Sequence, residues 1–475
     1  MPRKRPPDAP RVVYRTARCG LRATRGQRRR LWGLLRSTGD VWCCLLEVNS
    51  WRRHRQDAPL TGYQELCREL ARSGPGTFGE LDVTGARSVL RRYSDAWFAA
   101  AKRRKAGDAS ARFPRRRRGL VPVRWYAGTF RLEDRVLRLP TARDSAPLVV
   151  RLDRDPPYPA DQVRSVTLVC EAGRLQVEVT AEVPVAAYAG GQAPDPGRVA
   201  GIDLGIIHPY AAAGPDGQQL LVSGRAIRAE RRQHLREART RSRAAARRAP
   251  KPGQRGSRRW RQHRRRQRIA EERHRRLVRQ AQHEAAKTVI TWAVSHKIGT
   301  LAVGDPRGVL GLNAGRRHNQ RVRAWRIGHL IRALTDKAEA AGITLALIDE
   351  RGTSSTCPGC ARRVPKPAGR NFTCPHCGRA GHRDLVAAAN IATRAGGGTI
   401  PSADAAGITH RRAGTHLPGV HPARRDPRRR LHHGPPHGPL AGTGPPRTPV
   451  TWRAGSRSPH REEPEIHRSI YGRLH

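Results

Sequence analysis

Apolar and polar positions follow two different rhythms along this chain, and the change of rhythm marks its organisation. In the first hundred residues apolar positions recur every three or four places: Leu31, Leu34 and Leu35, then Val41, Trp42, Leu45, Leu46 and Val48. That spacing lines one side of a helix. A second helical run over Gly85–Lys105 carries Val89, Leu90, Tyr93, Trp97 and Phe98. After Phe113 the period shortens to two. Val121–Tyr126, Thr129–Leu132, Val136–Leu139, Leu148–Leu152, Ser165–Cys170 and Leu175–Glu182 alternate as strands do. With a short strand-like segment at the start, residues 1–195 predict an antiparallel β-barrel or sheet. A helical unit over about residues 21–108 is inserted after its first strand.

A Gly/Pro-rich link at Gly190–Gly197 leads into a different texture. Arg198–Leu204, Tyr210–Ala213 and Gln218–Val222 read as strands, the last preceded by the turn Pro215-Asp216-Gly217. Two helical stretches between Arg225 and Lys287 are broken at Pro250–Ser257, and Val289–Val294 finishes a helix. Thr300–Gly304 and Ile343–Asp349 predict further strands, with an amphipathic helix over Trp325–Ala341 between them. Asp384–Ala395 predicts an Ala-rich helix. The whole is a multidomain α+β chain whose second part, 196–352 plus 379–395, is an α/β domain. From Gly396 onward Gly, Pro, His and Arg dominate without periodicity, so 396–475 is expected to be a disordered basic tail.

Charge narrows the choice of partners. Over 475 residues, 93 are Lys or Arg against 38 Asp or Glu, a formal net charge of +55. Such an excess repels itself in a compact chain unless a polyanion neutralises it. Nucleic acid is the polyanion this favours, and an anionic membrane surface is the weaker alternative. No apolar run is long enough to span a bilayer, and Met1–Arg11 is basic and Pro-rich with no apolar stretch behind it. The expectation is therefore no membrane and a cytoplasmic location at the nucleoid. Only eight of the basic residues are Lys. Arg suits bidentate phosphate contacts, but a GC-rich genome also favours it, so this preference decides little. The cations between Arg225 and Lys287 would repel one another across adjacent helical turns without phosphate nearby. Arg112–Arg118 beside Trp125 and Tyr126 joins charge to aromatic surface as nucleic-acid grooves do; a solvated loop beside core aromatics is the competing reading.

Nine cysteines are present. Cys19, Cys43, Cys44, Cys67 and Cys170 are scattered in mostly apolar contexts and read as buried or free thiols, which fits a reducing compartment. The other four form Cys357-Pro-Gly-Cys360 and Cys374-Pro-His-Cys377, two C-x-x-C knuckles thirteen residues apart. Four thiolates close a tetrahedral Zn²⁺ site and leave no open position. The metal should hold a zinc ribbon (353–378) together rather than do chemistry, and neither His376 nor His382 is needed as a ligand.

In so basic a chain, acids at the ends of apolar strands stand out. Asp203 ends the strand in Gly201-Ile202-Asp203-Leu204-Gly205, Asp305 follows Thr300–Gly304, Glu350 follows Ile343–Asp349, and Asp384 opens a helix. Singly, each suits a turn or a helix N-terminus. Converging, they would suit two Mg²⁺ ions, which activate water and neutralise charge on a phosphodiester. His382-Arg383-Asp384-Leu385 has the look of a kinase catalytic loop, but Asn390 falls six rather than five residues after the Asp, and no Gly-rich phosphate loop accompanies it.

Residues 198–395 resemble the TnpB family, transposon-encoded relatives of the type V CRISPR effectors. The matching pieces are GIDLG, GDPRG and DERGTSSTCPGC…FTCPHCG…GHRDLVAAANI; the N-terminal half resembles the family's wedge barrel with its recognition insertion more loosely. The resemblance implies a RuvC-like (RNase H-fold) endonuclease, a guide RNA and a target DNA as partners, structural zinc and catalytic Mg²⁺. Sequence readout would then be left to base pairing. The family's second acid is Glu, whereas the matching segment here offers Asp305. Asp is shorter by about 1.5 Å, against a tolerance of about 0.5 Å for a metal constellation. Either Asp305 still reaches, directly or through water, or Glu350 on the neighbouring parallel strand supplies the carboxylate. The preferred set is Asp203, Glu350 and Asp384 as Mg²⁺ ligands, with Asp305 a turn residue beside Pro306 and Gly308. A site too weak to cut would leave an RNA-guided DNA-binding protein. A plain zinc-ribbon nucleic-acid binder would leave the strand-end acids unexplained.

Overall fold

The computed structural model describes residues 11–417, apart from 73, 75–77, 116–119, 312–314, 366–368 and 402–406. The tail beyond 417, Met1–Pro10 and the Arg116–Arg118 part of the basic run lie outside the described residues.

The first strand, β1 (Val12–Arg22), runs into α1 (Arg25–His54) through a capping box: Thr24 Oγ1 accepts from Gln27 N–H at 3.2 Å, and Gln27 Oε1 accepts from Thr24 N–H at 2.8 Å. A short helix, α2 (Tyr63–Arg72), follows, then α3 (Val83–Lys105). Asp82 caps α3, accepting from Thr84 and Gly85 N–H, and also takes the indole N–H of fully buried Trp125 at 2.9 Å. That indole ties the inserted helices to β2 (Val123–Tyr126). Trp125 is therefore core, and only Tyr126 of the expected aromatic surface is exposed. The described start of the basic run instead lies against the helices: Phe113 packs on Trp97 at 4.6 Å, and Arg115 O accepts from the Trp42 indole.

Six strands complete the first sheet: β2, β3 (Arg131–Glu133), β4 (Val136–Leu139), β5 (Leu148–Leu152), β6 (Val163–Glu171) and β7 (Arg174–Pro184). The order is β2-β6-β7-β1-β5-β4-β3, antiparallel throughout. Val12–Gly20 of β1 pair with β7 and Leu21 and Arg22 with β5, so one long strand serves both halves of the sheet. The expected barrel is thus a half-barrel among the described residues, because β2 and β3 end as edges and do not pair with each other.

The second sheet has the order β12-β11-β8-β9-β10-β15. It comprises β8 (Asp195–Asp203), β9 (Tyr210–Ala213), β10 (Gln219–Ser223), β11 (Ile298–Asp305), β12 (Thr344–Asp349) and β15 (Ile408–Arg412). All run parallel except β9, which is antiparallel to both of its neighbours. Two long helices, α4 (Arg225–Ala246) and α5 (Arg258–Ser295), form a hairpin after β10. The helix expected over Trp325–Ala341 is split: α6 (Arg316–Trp325) and α7 (Ile327–Ala340) meet at Arg326, whose φ of 57° is left-handed and breaks the run.

Strand alternation divides this sheet cleanly. Ala200, Ile202, Leu301 and Val303 face a core with Val289 and Trp292 of α5 and Leu330 and Leu334 of α7. Val199, Ala302, Ala211, Ala213 and Leu221 face the other way, towards α8 (Arg383–Arg394). That face is built from small residues, with Ala388, Ala389 and Ala392 opposite, so the helix lies close on the strands.

The tail does not begin at 396. Ile408–Arg412 pair in parallel with Gln219–Ser223, and Ile400, Ala413 and Leu417 are buried. Isolated aliphatic residues are too few to show a period, yet β15 covers β10, which would otherwise present an unpaired edge.

Candidate metal and nucleic-acid site

The two cysteine knuckles are built alike. In each, the first Cys carbonyl accepts an N–H from four residues on (Ala361 to Cys357 at 2.9 Å, Gly378 to Cys374 at 3.0 Å), and its own N–H donates to the fifth (Arg362 O and Arg379 O). The fourth position needs a positive φ, 57° at Ala361 and 70° at Gly378. Glycine supplies it without strain at one knuckle and alanine with strain at the other. The hairpin of β13 (Asn371–Thr373) and β14 (Ala380–His382) carries the second knuckle. Cys357 Sγ lies 3.5 Å from Cys377 Sγ, Cys360 Sγ lies 3.6 Å from Cys374 Sγ, and all four fall within 4.8 Å of one another. Thiolates about 2.3 Å from a tetrahedral Zn²⁺ are about 3.8 Å apart, so the donor set and its spacing fit zinc. Burial opposes ionisation of Cys374, but N–H groups of Cys377 and His376 and the neighbouring thiols outweigh it and bring the thiol to about 6. The ribbon packs on α8 through Val364, Phe372 and Val386. Asn390 of α8 ties it down further, donating to Thr353 O at 2.7 Å and Thr356 O at 2.8 Å.

The strand-end acids separate by parity. Asp203 follows Val199 and Gly201 on the α8 face of β8. A Cβ on Gly201 would sit 1.8 Å from Ala388 O, and one on Gly205 2.7 Å from His208 O. Both glycines of GIDLG are therefore required, one by the helix and one by the turn. On β11 the same face is held by Ala302 and Gly304, which leaves Asp305 on the opposite face with Leu301 and Val303. Asp305 is gripped there by Arg307, whose N–H, Nε and Nη2 all donate to it, and this holds its carboxyl below the usual range. Asp305 pairs in register with Asp349, so Glu350, one residue further, falls back on the α8 face. It lies over Gly304, where a Cβ would meet Glu350 Oε2 at 3.1 Å and Ile391 Cδ1 at 2.7 Å. Asp384 enters from the first turn of α8.

Asp203, Glu350 and Asp384 thus stand on the α8 side of the sheet, near enough for Asp203 to feel the charges of the other two though not within 4.8 Å of one another, and Asp305 faces away. Asp203 keeps some exposed surface, yet atoms crowd its carboxyl group. Burial first, then the charges of Asp384 and Glu350, push it well above the ordinary range, against the opposing pull of Arg370 and Arg383. Burial also acts to raise Asp384, but the imidazole of His208 and the guanidinium of Arg370 more than reverse it. His208 Nδ1 is 2.9 Å from Asp384 Oδ2, and Arg370 Nη1 donates to Oδ1 at 2.5 Å. His382 caps α8, its Nδ1 accepting the Asp384 N–H at 3.3 Å, and its ring stands edge-on to His208 at 5.1 Å. His208, His382, Arg370 and Asn390 were not singled out from the sequence as members of this site. Their partners are distant along the chain, and only the nearness of His208 to Asp203 and of His382 to Asp384 hinted at them.

The basic hairpin is held by a stacked pair: His234 and His274 lie 3.9 Å apart at 7°, backed by Glu271 at 2.9 Å and Glu230 at 3.0 Å. Most arginines of α4 and of the first half of α5 are left at least partly exposed. Among the described residues, no helix is long and apolar enough to cross a membrane.

Residues 175–310 match a family model described as a probable transposase, OrfB of IS605, and residues 328–391 match the TNB domain of a Cas12f1-like family. The first span holds Asp203 and Asp305; the second holds Glu350, Asp384 and all four ribbon cysteines. The chain is a TnpB-like relative of the type V effectors. Among solved structures, a Cas12f1–sgRNA–target DNA complex superposes on this TnpB-like chain with a TM-score of 0.53 at 13% identity, covering 77% of this chain and 82% of that one. The likeness is one of fold. The mini-RNA-guided endonuclease Cas_phi3 gives 0.41 at 12% identity, covering 82% and 93%. C2c1 of Alicyclobacillus acidoterrestris with single-guide RNA gives 0.35 at 12%, covering 78% and 69%. No curated protein sequence matches the chain.

Proposed function

We propose that this chain is an RNA-guided DNA endonuclease of transposon origin, hydrolysing phosphodiesters at a RuvC-like site formed by Asp203, Glu350 and Asp384. One observation carries the reading: three carboxylates from two parallel strand ends and a helix start lie on one face of the sheet, within reach of one another's charge. Carboxylates so placed offer the oxygen ligands that hard divalent cations take, once a cation draws them together. Mg²⁺ held there would neutralise the phosphodiester and activate water. The protein's own share is placement. Gly201 lets α8 bring Asp384 onto β8, Gly304 leaves room for Glu350, and Arg370 and Arg383 offer positive charge beside a scissile phosphate. The RNase H-like reading is supported by the parallel strands β12, β11 and β8 beside the antiparallel β9. The exposed arginines of α4 and α5 supply phosphate contacts to guide RNA and target DNA, and the four cysteines hold structural zinc. The site of action is the cytoplasm, at the nucleoid.

The test is co-expression with RNA transcribed from the flanks of the element, followed by cleavage of a guide-matched plasmid in Mg²⁺. Asp203→Asn and Glu350→Gln are expected to lower cutting by about 10²-fold or more, while Asp305→Ala cuts as well as wild type. Cutting retained in Glu350→Gln and lost in Asp305→Ala would overturn the assignment. Guide-dependent DNA binding without cutting would leave an RNA-guided binder.

A further inference from the structure

We propose that His208 and His382, sharing Asp384 with the Mg²⁺ set, form a second metal site, for a divalent transition-metal ion that favours imidazole, with Zn²⁺ as its representative. One donor atom from each residue lies within 4.8 Å of the other two, the only such group among the described residues besides the ribbon cysteines. Asp384 is common to both sites, but two imidazoles beside one carboxylate suit a borderline ion, whereas Mg²⁺ takes oxygen.

Three separate elements bring the donors together. His208 stands on the turn after β8, where the Ile207 carbonyl accepts Gly224 N–H at 2.8 Å and Gly205 makes room for the His208 carbonyl. His382 closes β14, paired with Asn371, and Asp384 sits in the first turn of the adjoining helix. Two ligands each about 2.1 Å from a tetrahedral Zn²⁺ are about 3.4 Å apart, so His208 Nδ1 and Asp384 Oδ2, hydrogen-bonded at 2.9 Å, need part by only about 0.5 Å to admit the ion. An ion can therefore take the place of the proton between them with little movement. Arg370 holds the other oxygen, Oδ1, and so aims Oδ2 at the imidazoles. The His382 ring stands edge-on beside His208 and closes the third side.

The proposal goes beyond the nuclease reading, since occupancy is measurable without RNA, DNA or cutting. The full chain, equilibrated with buffered free Zn²⁺ and then analysed for metal, is expected to hold one zinc more than its four-cysteine ribbon accounts for. His208→Phe and His382→Asn are expected to weaken the second zinc by about tenfold or more. Asn preserves the helix cap while removing the imidazole, so loss of zinc in that variant, with an unchanged circular dichroism spectrum, is not a failure to fold. Asp203→Asn keeps the second zinc. No zinc beyond the ribbon's in wild type, or full retention in both histidine variants, overturns the proposal. A second zinc in a wild-type chain that never cuts guide-matched DNA in Mg²⁺ supports this site and counts against the nuclease reading alone.

Discussion

Replacing Gly201 by alanine tests the link between fold and site with a single methyl group. The added Cβ would lie 1.8 Å from Ala388 O and 2.7 Å from Ala392 N, both backbone atoms of α8. Ordinary contact begins at 3.4 Å, so helix and strand must part by about 1.6 Å along that line. No side-chain rotation relieves the clash. Overpacking of this kind costs about 1–3 kcal/mol, and a collision with rigid backbone belongs at the upper end. The same shift carries Asp384, one turn earlier on α8, by about 1 Å against a tolerance of about 0.5 Å. Cleavage should therefore fall by about 10²-fold. Thermal unfolding followed by circular dichroism reads the first effect, and single-turnover cutting of guide-matched DNA reads the second. Gly39→Ala is the control: it lies within α1 with nothing within 4 Å, and should stabilise by about 1 kcal/mol. A Gly201→Ala chain that melts with wild type and cuts within twofold of it would refute the close packing of α8 on β8.

Asp82→Ala removes the α3 cap and strands the buried Trp125 indole N–H, which should cost about 2–3 kcal/mol in thermal or urea unfolding. A cost below about 0.5 kcal/mol would show that this junction does not hold the helices to the sheet. Cys374→Ser should lose the ribbon's zinc and expose the segment 356–378 to protease while the half-barrel stays protected; an equally resistant ribbon without zinc would contradict the structural role. Ala361→Gly relieves a left-handed alanine at the first knuckle and should raise resistance to zinc chelators, by up to about 1 kcal/mol. Unchanged chelator sensitivity would mean that the strain at Ala361 is not felt.

Much of the local structure was legible because it is local. The T-x-x-Q box at Thr24, the alternation of Val136–Leu139 and Leu148–Leu152, and the Pro250–Ser257 break between two basic helices each depend on neighbours a few residues away. Boundaries failed where a distant partner decides them. Trp325–Ala341 has one continuous amphipathic pattern, yet Arg326 turns left-handed within it. Ile408–Arg412 has no pattern of its own and becomes a strand because β10 offers an edge.

The sequence alone determined the pairing of four cysteines into two knuckles, since spacing within each suffices, and the acids at apolar strand ends, since strand and turn chemistry are short-range. It could not determine which acids share a face. That required the parallel register pairing Asp305 with Asp349, which turns Asp305 away and Glu350 towards α8. Nor could it bring His208 to Asp384, 176 residues apart, because their contact exists only once Gly201 has let α8 settle on β8. Side-chain periodicity fixes the face a residue takes on its own strand; only packing between strands and helix sets which faces meet.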